Sequence, residues 1–531
     1  MPVHGGMSWG WSSRRGRVLS RAGIGVLSWV IAPDLVDEAV GDGLAWEMRL
    51  RALPARLGVY FVLGLCLFSG LPYGQVLRQL TGGLEGALAA AGWRVPAATA
   101  LTRARRRIGE APLESLFRRL CSALSPGRSP WSHIGGLLAV AWDGTTVAAE
   151  ASAENIAAFG KPGAPKRRPA RRGAGAGDGL AAAGDADDAD DAAGCPQLRL
   201  VTLVACGTRA LLDAAAGPLR GKGTGEQALA RQLLGSLHRG MLLLADRGFY
   251  GYHLWTAAAA TGADLLWRAK DDLHLPVVRE LPDGSWLTHV NDPRAARARL
   301  EKNGTRRRRG SALPPETGPL PGITIRVISF TLTVTTDDGA TRTEPYRLLT
   351  TLTDWQAHPA AGLAAGYAWR WAIETGYREC KTYLRGPGRR LRGRTPALAR
   401  QELWAYLALY QAIRILIVRA AAGAGLDPDR ISFTAALHAI RRTLPAARDH
   451  MDTTLASLET EILTTLIPER PGRIYPRAVS KPISPYPSRR VRPGPISQHA
   501  HYTITTTTPG TSTPTHTDQA RQPEHRPDNP P

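Results

Sequence analysis

Three acidic residues, Asp143, Asp246 and Glu374, stand where a carboxylate could do chemistry. Asp143 closes the apolar run LLAVAWD, and Asp246 closes MLLLAD. A buried strand that finishes in Asp brings a carboxylate to the edge of a sheet, where ligands and metals gather in α/β folds. Neighbouring strands lie about 4.8 Å apart, so two such carboxylates can share one cation. Taken singly, each reads first as a turn or cap aspartate, because a glycine follows within two residues (DGT, DRG). The third residue changes that balance. Glu374 lies in YAWRWAIETGYRECK, residues 367–381, whose pattern is helical. At about 100° per residue, positions seven apart nearly eclipse, so Tyr367, Glu374 and Lys381 share a stripe, with Arg370 about 40° off it. A core-facing stripe is aliphatic or aromatic, and this one mixes a carboxylate with two cations. A plain helix would use Glu374 as an i,i+4 partner of Arg370 or Arg378, worth a few tenths of a kcal/mol, roughly. Glu379 points about 140° away and does not substitute for it. The three carboxylates together make an oxygen-only site for Mg²⁺ or Mn²⁺, suited to phosphoryl transfer with two ions. Lys381 and Arg370 would then hold backbone phosphates, and Tyr367 would pack against a sugar or base.

The elements that position these residues are legible in outline. GGLLAVAWDGTTVAAE (135–150) reads as a strand, LRLVTLVACGTRALLDAAAG (198–217) as a hairpin about a Gly-Thr turn, and MLLLADRGF (241–249) as a buried strand. TGEQALARQLLGSLHRG (224–240) has helical periodicity, a Thr cap and a terminal Gly. A helix near Tyr252 to Thr261 and a strand at ADLLWRAK follow. Three antiparallel strands, then helix-strand-helix-strand, form an α/β layer pattern. Residues 271–350 hold ITIRVISFTLTV and EPYRLLTTLTD, strand-like runs preceded by a connection with Arg306 to Arg309. The pattern is helical from Pro33 to about Ala123, where Thr102 with RARRR behind it reads as a basic helix start or a solvated face, and again from about 358 to 466. Residues 161–194 carry six basic residues and then six aspartates among Gly, Ala and Pro, which is a low-complexity loop rather than a metal site.

Bulk properties narrow the partner. The 531 residues carry 67 Lys+Arg against 45 Asp+Glu, a formal charge of +22. Such an excess favours a polyanion, nucleic acid before a membrane surface. Five cysteines without a CxxC pair argue against zinc fingers and disulfides, and for a reducing cytoplasm. The N-terminus lacks the pattern of a secretory signal. The most apolar segment, LGVYFVLGLCLFSGL (57–71), is too short and too glycine-interrupted for a span, so it reads as a buried helix and no membrane is expected.

Tyr367, Arg370, Glu374 and Lys381 in the order Y-x2-R-x3-E-x6-K resemble the Y-R-E-K signature of the insertion-element-four family of bacterial DDE transposases. WDGTT at Asp143, ADRGFYGYHLW at Asp246 and ETGYRECKTYLRGPGRRLRGRTPALARQELWAY from Glu374 onward are similar to that family too. The likeness spans roughly residues 33–425. It implies an α/β, ribonuclease-H-like catalytic core with a β-rich insertion, behind an all-helical N-terminal domain; further helices follow, and composition rather than the resemblance marks both chain ends as disordered. The expected boundaries are a disordered start over 1–30 and a helical DNA-binding domain over 31–128. A catalytic domain over 132–425 follows, with the loop 161–194 and an insertion at about 271–350. C-terminal helices over 426–467 and a disordered basic Pro/Thr-rich tail over 468–531 complete it. The resemblance implies cut-and-paste transposition: hydrolysis at the element's ends, then attack of the freed 3′-OH on target DNA. Asp143, Asp246 and Glu374 would be catalytic and metal-binding, with Mg²⁺ or Mn²⁺ as a pair of ions. Tyr367, Arg370 and Lys381 would contact DNA. The partners would be double-stranded DNA, as terminal inverted repeats and target, and a second copy in a homodimer on that DNA. Members of the family stack a flipped base on an insertion-domain tryptophan, for which Trp286 and Trp355 are candidates. The long 161–194 loop and the tail depart from the family pattern. Two other readings stand beside it: a catalytically silent DNA-binding relative acting as an inhibitor or repurposed binding protein, and a nuclease without the transfer step.

Overall fold

The computed structural model describes residues 13–41, 53–123, 131–162, 194–308, 318–335, 341–443 and 451–467. All of them fall in one unit, residues 1–487. Most of the loop 161–194 and all of the tail 468–531 lie outside the described residues.

The N-terminal part is helical: α1 (Arg14–Leu19), α2 (Pro33–Gly41), α3 (Ala55–Leu67), α4 (Tyr73–Leu80), α5 (Glu85–Ala90), α6 (Ala98–Ile108) and α7 (Ala111–Ala123). Residues 13–30, expected to lack order, are structured. Ser13 caps α1 by accepting from the Gly16 amide at 3.0 Å, and a 3-10 turn at Gly25–Trp29 follows. That turn buries Ile24, Val26 and Leu27, which explains the order physically. The apolar run at 57–71 contains α3, of whose 13 residues 11 are buried. Its glycines permit close approach rather than breaking it: a Cβ on Gly58 would meet Ile108 Cδ1 at 2.2 Å. Thr102 does not start α6. It sits inside the helix and donates its hydroxyl to the Ala98 carbonyl at 3.0 Å. Of the arginines behind it, Arg105 is buried against Gln401 and Tyr73, while Arg103 and Arg106 are exposed.

The central part contains β1 (His133–Ile134), β2 (Leu137–Ala148), α8 (Ala153–Phe159), β3 (Gln197–Ala205), β4 (Ala210–Pro218), α9 (Glu226–Gln232), β5 (Met241–Ala245), α10 (Tyr252–Ala259) and β6 (Asp264–Arg268). Next come β7 (Arg279–Glu280), β8 (Trp286–Asn291), α11 (Pro293–Arg308), β9 (Gly322–Thr335) and β10 (Thr341–Thr350). The sheet runs β4-β3-β2-β5-β6-β10-β9-β8-β7, with β1 on β2. β2, β3 and β4 are antiparallel, and β5 and β6 run parallel to β2. The helix read over 224–240 is shorter than expected. Gly225 occupies its N-cap, Thr224 instead donates to the Gly221 carbonyl, and α9 gives way to a 3-10 turn at Leu234–Ser236. In the β3–β4 hairpin the left-handed residue is Arg209, at φ 54°, and its guanidinium reaches Glu379 (2.7 Å) and Asp429 (2.8 Å). The insertion strands do not form a sheet of their own: β10 pairs with β6, Leu349 opposite Trp267, so they extend the central sheet. The connection expected around Arg306 is the end of α11.

Period-two alternation assigns the two faces of the sheet. Ala139, Ala141, Val147, Leu242 and Leu244 enter one core, shared with the long C-terminal helix and the N-terminal helices. Val140, Trp142, Leu243 and Ala245 enter the other, under α9 and α10. The C-terminal part is α12 (Ala360–Tyr367), α13 (Ala372–Arg378), α14 (Pro396–Gly423), α15 (Phe433–Arg442) and α16 (Met451–Leu463). Thr395 caps α14 by accepting from the Leu398 amide at 3.3 Å, with a proline in the first turn. α14 is long and apolar enough to cross a membrane, but 78% of that stretch is buried inside the fold against α3, α7 and α16. Its buried Gln411 accepts from the Leu211 amide at 2.8 Å, a bond that ties it to the edge of β4.

Candidate active site

The parallel ladder of β2 and β5 fixes the two aspartates. Ala141 lies opposite Leu244, an offset of 103, and the same offset carries Asp143 to the level of Asp246. Both follow the alternation onto the face where α13 packs, because Ala141 and Leu244 precede them by two residues and belong to that core. The turn reading holds for Asp246, whose Oδ1 accepts from the Gly248 amide at 2.7 Å. Asp143 neither ends its strand nor sits in a turn: β2 runs on to Ala148, and Asp143 Oδ1 accepts from the adjacent Gly144 amide at 2.9 Å. Glu374, 44% exposed, sits 3.8 Å from the Arg370 guanidinium.

The three carboxylates share one electrostatic field. Burial pushes the Asp143 carboxyl up to about 6, and the charges of Asp246 and Glu374 push it the same way. Arg370 and the Gly144 amide oppose them. Among the described residues no three His, Cys, Asp or Glu side chains stand close enough to hold a metal ion as placed. The donor chemistry nevertheless fits a hard divalent cation. Asp143, Asp246 and Glu374 offer oxygen only, and a cation would relieve the repulsion felt at Asp143.

The segment carrying Glu374 is not one continuous α-helix. α12 ends at Tyr367, a 3-10 turn covers Ala368–Trp371, α13 covers Ala372–Arg378, and a π-helical turn covers Glu379–Leu384. A 3-10 turn advances about 120° per residue, so the even stripe expected from 100° steps is broken at its first member. Tyr367 is only 4% exposed, and its hydroxyl donates to the carbonyl of Ala245, the residue before Asp246, at 3.1 Å. Burial pushes its phenol up to about 12. The expected contact of Tyr367 with a sugar or base therefore lacks an exposed ring, and the side chain braces α12 against β5 instead. Arg370 is partly buried between Glu374 and the field of Asp143. Lys381 is partly buried too, with its ammonium donating to Thr145 Oγ1 at 2.8 Å. Burial, with the charge of Arg385, lowers its pKa.

Sequence reasoning passed over Tyr377. Its hydroxyl lies 2.6 Å from the carbonyl oxygen of Asp143 and 2.8 Å from Thr202 Oγ1. Thr202 is the cross-strand partner of Asp143 on β3. The only available signal was a tyrosine three residues after Glu374, which a helix alone does not distinguish from a packing residue. Trp371, three residues before Glu374, is 38% exposed. Trp286 stands on β8, packed against the core beneath α9 and α10, and Trp355 is partly buried after β10. All five cysteines are free thiols.

Comparison with known proteins finds relatives across most of the chain. A model described as insertion element 4 transposase N-terminal matches residues 21–118, and one described as transposase DDE domain matches residues 139–411. The chain is 25% identical over 463 residues to transposase InsG for insertion sequence element IS4 of Escherichia coli K12, covering 86% of this chain and 92% of that protein. It is 30% identical over 184 residues to putative transposase y4zB of Sinorhizobium fredii, 34% of this chain and 44% of that protein. Putative transposase InsZ of Escherichia coli K12 is 27% identical over 220 residues, 41% of this chain and 62% of that protein.

Proposed function

The chain belongs to the DDE transposases of the insertion-element-four family, and we propose that it performs cut-and-paste transposition: it cleaves insertion-sequence ends and joins the 3′-OH to target DNA. The observation that carries this reading is the shared field of Asp143 on β2, Asp246 just after its parallel neighbour β5, and Glu374 on α13, which packs against β2. The strand order β4-β3-β2-β5-β6, antiparallel then parallel, supports a ribonuclease-H-like core. We assign Asp143, Asp246 and Glu374 to a pair of Mg²⁺ or Mn²⁺ ions. Bound there, such ions activate the attacking oxygen and stabilise the departing one.

The remaining work falls to side chains. Arg370 exchanges its pairing with Glu374 for a backbone phosphate, and Lys381 turns from Thr145 to another, so each cation positions DNA next to the carboxylates. Tyr367 contributes by fixing α12 to the backbone that ends in Asp246. Trp371, exposed beside Glu374, offers the flat face for a base or sugar that Tyr367 does not. The protein acts in the cytoplasm as a homodimer on paired terminal repeats, and the formal charge of +22 supports that polyanionic partner.

The test uses end-labelled DNA carrying the repeats that flank the coding sequence, with Mg²⁺ or with EDTA. Metal-dependent nicking at the repeat boundary is expected, and it should vanish in Glu374→Gln. Tight binding without nicking would replace this reading with that of a silent DNA-binding relative.

A further inference from the structure

We propose that Tyr377 is a positioning residue that sets where Glu374 stands relative to Asp143, and so fixes the metal affinity of the site. The inference rests on the transposase reading above. Its geometry is a relay across three elements. The Asp143 carbonyl can only accept, so the single hydroxyl proton of Tyr377 is committed to it at 2.6 Å. Thr202 Oγ1, at 2.8 Å, must then donate to Tyr377. The phenol thus binds the helix to β2 at the residue that carries the first carboxylate, and to β3 at that residue's cross-strand partner.

Two further observations give this contact weight. The first is what lies behind it. A cavity of about 30 Å³ separates the helix from the sheet, lined by Thr145, Thr202, Gly376, Tyr377, Lys381 and Tyr406 among others. Packing leaves slack of about one water's size beside this contact, so the polar bridges across it help to set the helix. The second is the π-helical turn that begins at Glu379. It contains Lys381, whose ammonium donates to Thr145, two residues beyond Asp143 on the same strand. The second anchor therefore sits on a widened turn, and the regular turn that carries Glu374 is tied to β2 and β3 through Tyr377, three residues on. A shift at Tyr377 carries Glu374 towards or away from Asp143.

The experiment titrates Mn²⁺ into the full-length, metal-free chain by electron paramagnetic resonance, and measures Mg²⁺-dependent nicking of terminal-repeat DNA, for wild type, Tyr377→Phe and Thr202→Val. Tyr377→Phe keeps the ring and removes both hydrogen bonds. It should weaken Mn²⁺ binding about tenfold or more, as loss of an outer-shell partner does, and raise half-saturating Mg²⁺ in step. DNA affinity should stay within about threefold, because no phosphate contact is lost. Thr202→Val leaves the bond to Asp143 but removes its polarising donor, so a smaller weakening, about threefold, is expected. Unchanged Mn²⁺ affinity in a folded Tyr377→Phe chain overturns the proposal, even if its Tm falls, since only a structural role would behave so. If Tyr377→Phe does not fold, Thr202→Val decides on the same readout. A wild-type chain that neither binds Mn²⁺ nor nicks DNA would instead remove the transposase reading, and this inference with it.

Discussion

Glu374 and Glu379 lie five residues apart on one helical segment and meet opposite environments. Glu379 is 3% exposed, with Arg209 donating to Oε1 at 2.7 Å, and Tyr410, at 3.1 Å, and Arg414 both donating to Oε2. Glu374 is 44% exposed, with Arg370 at 3.8 Å as a loose partner. One carboxylate is committed to the interior, and the other lies open to solvent, where a cation can reach it.

That contrast gives paired substitutions opposite outcomes. Glu379→Gln removes a buried charge from between two arginines and should cost roughly 3–5 kcal/mol, because Arg414 stays buried without its ion pair, while Arg209 keeps Asp429. Glu374→Gln should change stability by less than about 0.5 kcal/mol, as surface substitutions do, while abolishing nicking and sparing DNA binding. Thermal melts and a nicking assay on both proteins check this. A Glu374→Gln chain that still nicks would remove Glu374 from the site.

Asp143 supplies a pH dependence with a definite sign. Its folded carboxyl is raised to about 6 from an ordinary 3.8, chiefly by burial. The folded state therefore favours the protonated acid. This contribution to stability is present in full below pH 4 and is lost as the pH rises through 6. Asp143→Asn should stabilise the metal-free chain above pH 6, by at most about 3 kcal/mol, the free-energy equivalent of moving a carboxyl from 3.8 to about 6, and should do little at pH 4. Excess Mg²⁺ should narrow the gap at pH 7.5, since a cation offsets the same cost in the wild type alone. Melts in EDTA across that range decide it, and equal Tm values at pH 8 would mean that the ionised acid is already well solvated.

Lys381 is expected to exchange Thr145 for a DNA phosphate. If it does, Lys381→Ala should lower the log-log salt slope of DNA binding by about one unit, as loss of one phosphate contact does. The measurement is affinity for terminal-repeat DNA at several salt concentrations. An unchanged slope would leave Lys381 as a brace to β2 alone.

How much of this was legible follows from what each residue's signal depended on. The apolar runs before Asp143 and Asp246 were readable as buried strands, but only β5 stops there, at Ala245; β2 continues through Asp143 to Ala148, because its polar half still pairs with β3. Their shared level in the sheet was not, since register depends on pairing between residues about 100 apart in sequence. The Tyr367-to-Lys381 stripe was readable only under the assumption of one regular helix. The 3-10 and π turns broke that assumption, and the tyrosine moved indoors. The order at residues 13–30 was hidden because Gly, Arg and Ser dominate the stretch, while the burial is carried by a few scattered apolar residues, Leu19, Ala22, Ile24, Val26 and Leu27. Tyr377 was invisible for a related reason: its partners are a backbone carbonyl and a threonine on two other strands.

Gly376 offers a test of how tightly the site's helix is held from behind. A Cβ there would lie 2.9 Å from the Tyr410 hydroxyl, which bonds the Arg209 carbonyl at 3.1 Å and Glu379 at 3.1 Å. Alanine gains about 1 kcal/mol over glycine in helix propensity. Against this stands overpacking, typically about 1–3 kcal/mol where the neighbour is fixed. Tyr410 is fixed by its network, although the adjoining cavity gives its ring some room. The balance favours the clash, so Gly376→Ala should lower stability by about 1 kcal/mol. Tyr410→Phe removes the clashing oxygen, so combining the two should cost less than the sum of the single losses, a coupling that a double-mutant cycle reads directly. Strict additivity would show that the helix, rather than Tyr410, gives way. In that case Gly376→Ala should also shift Glu374 and weaken Mn²⁺ binding in the same titration used for Tyr377.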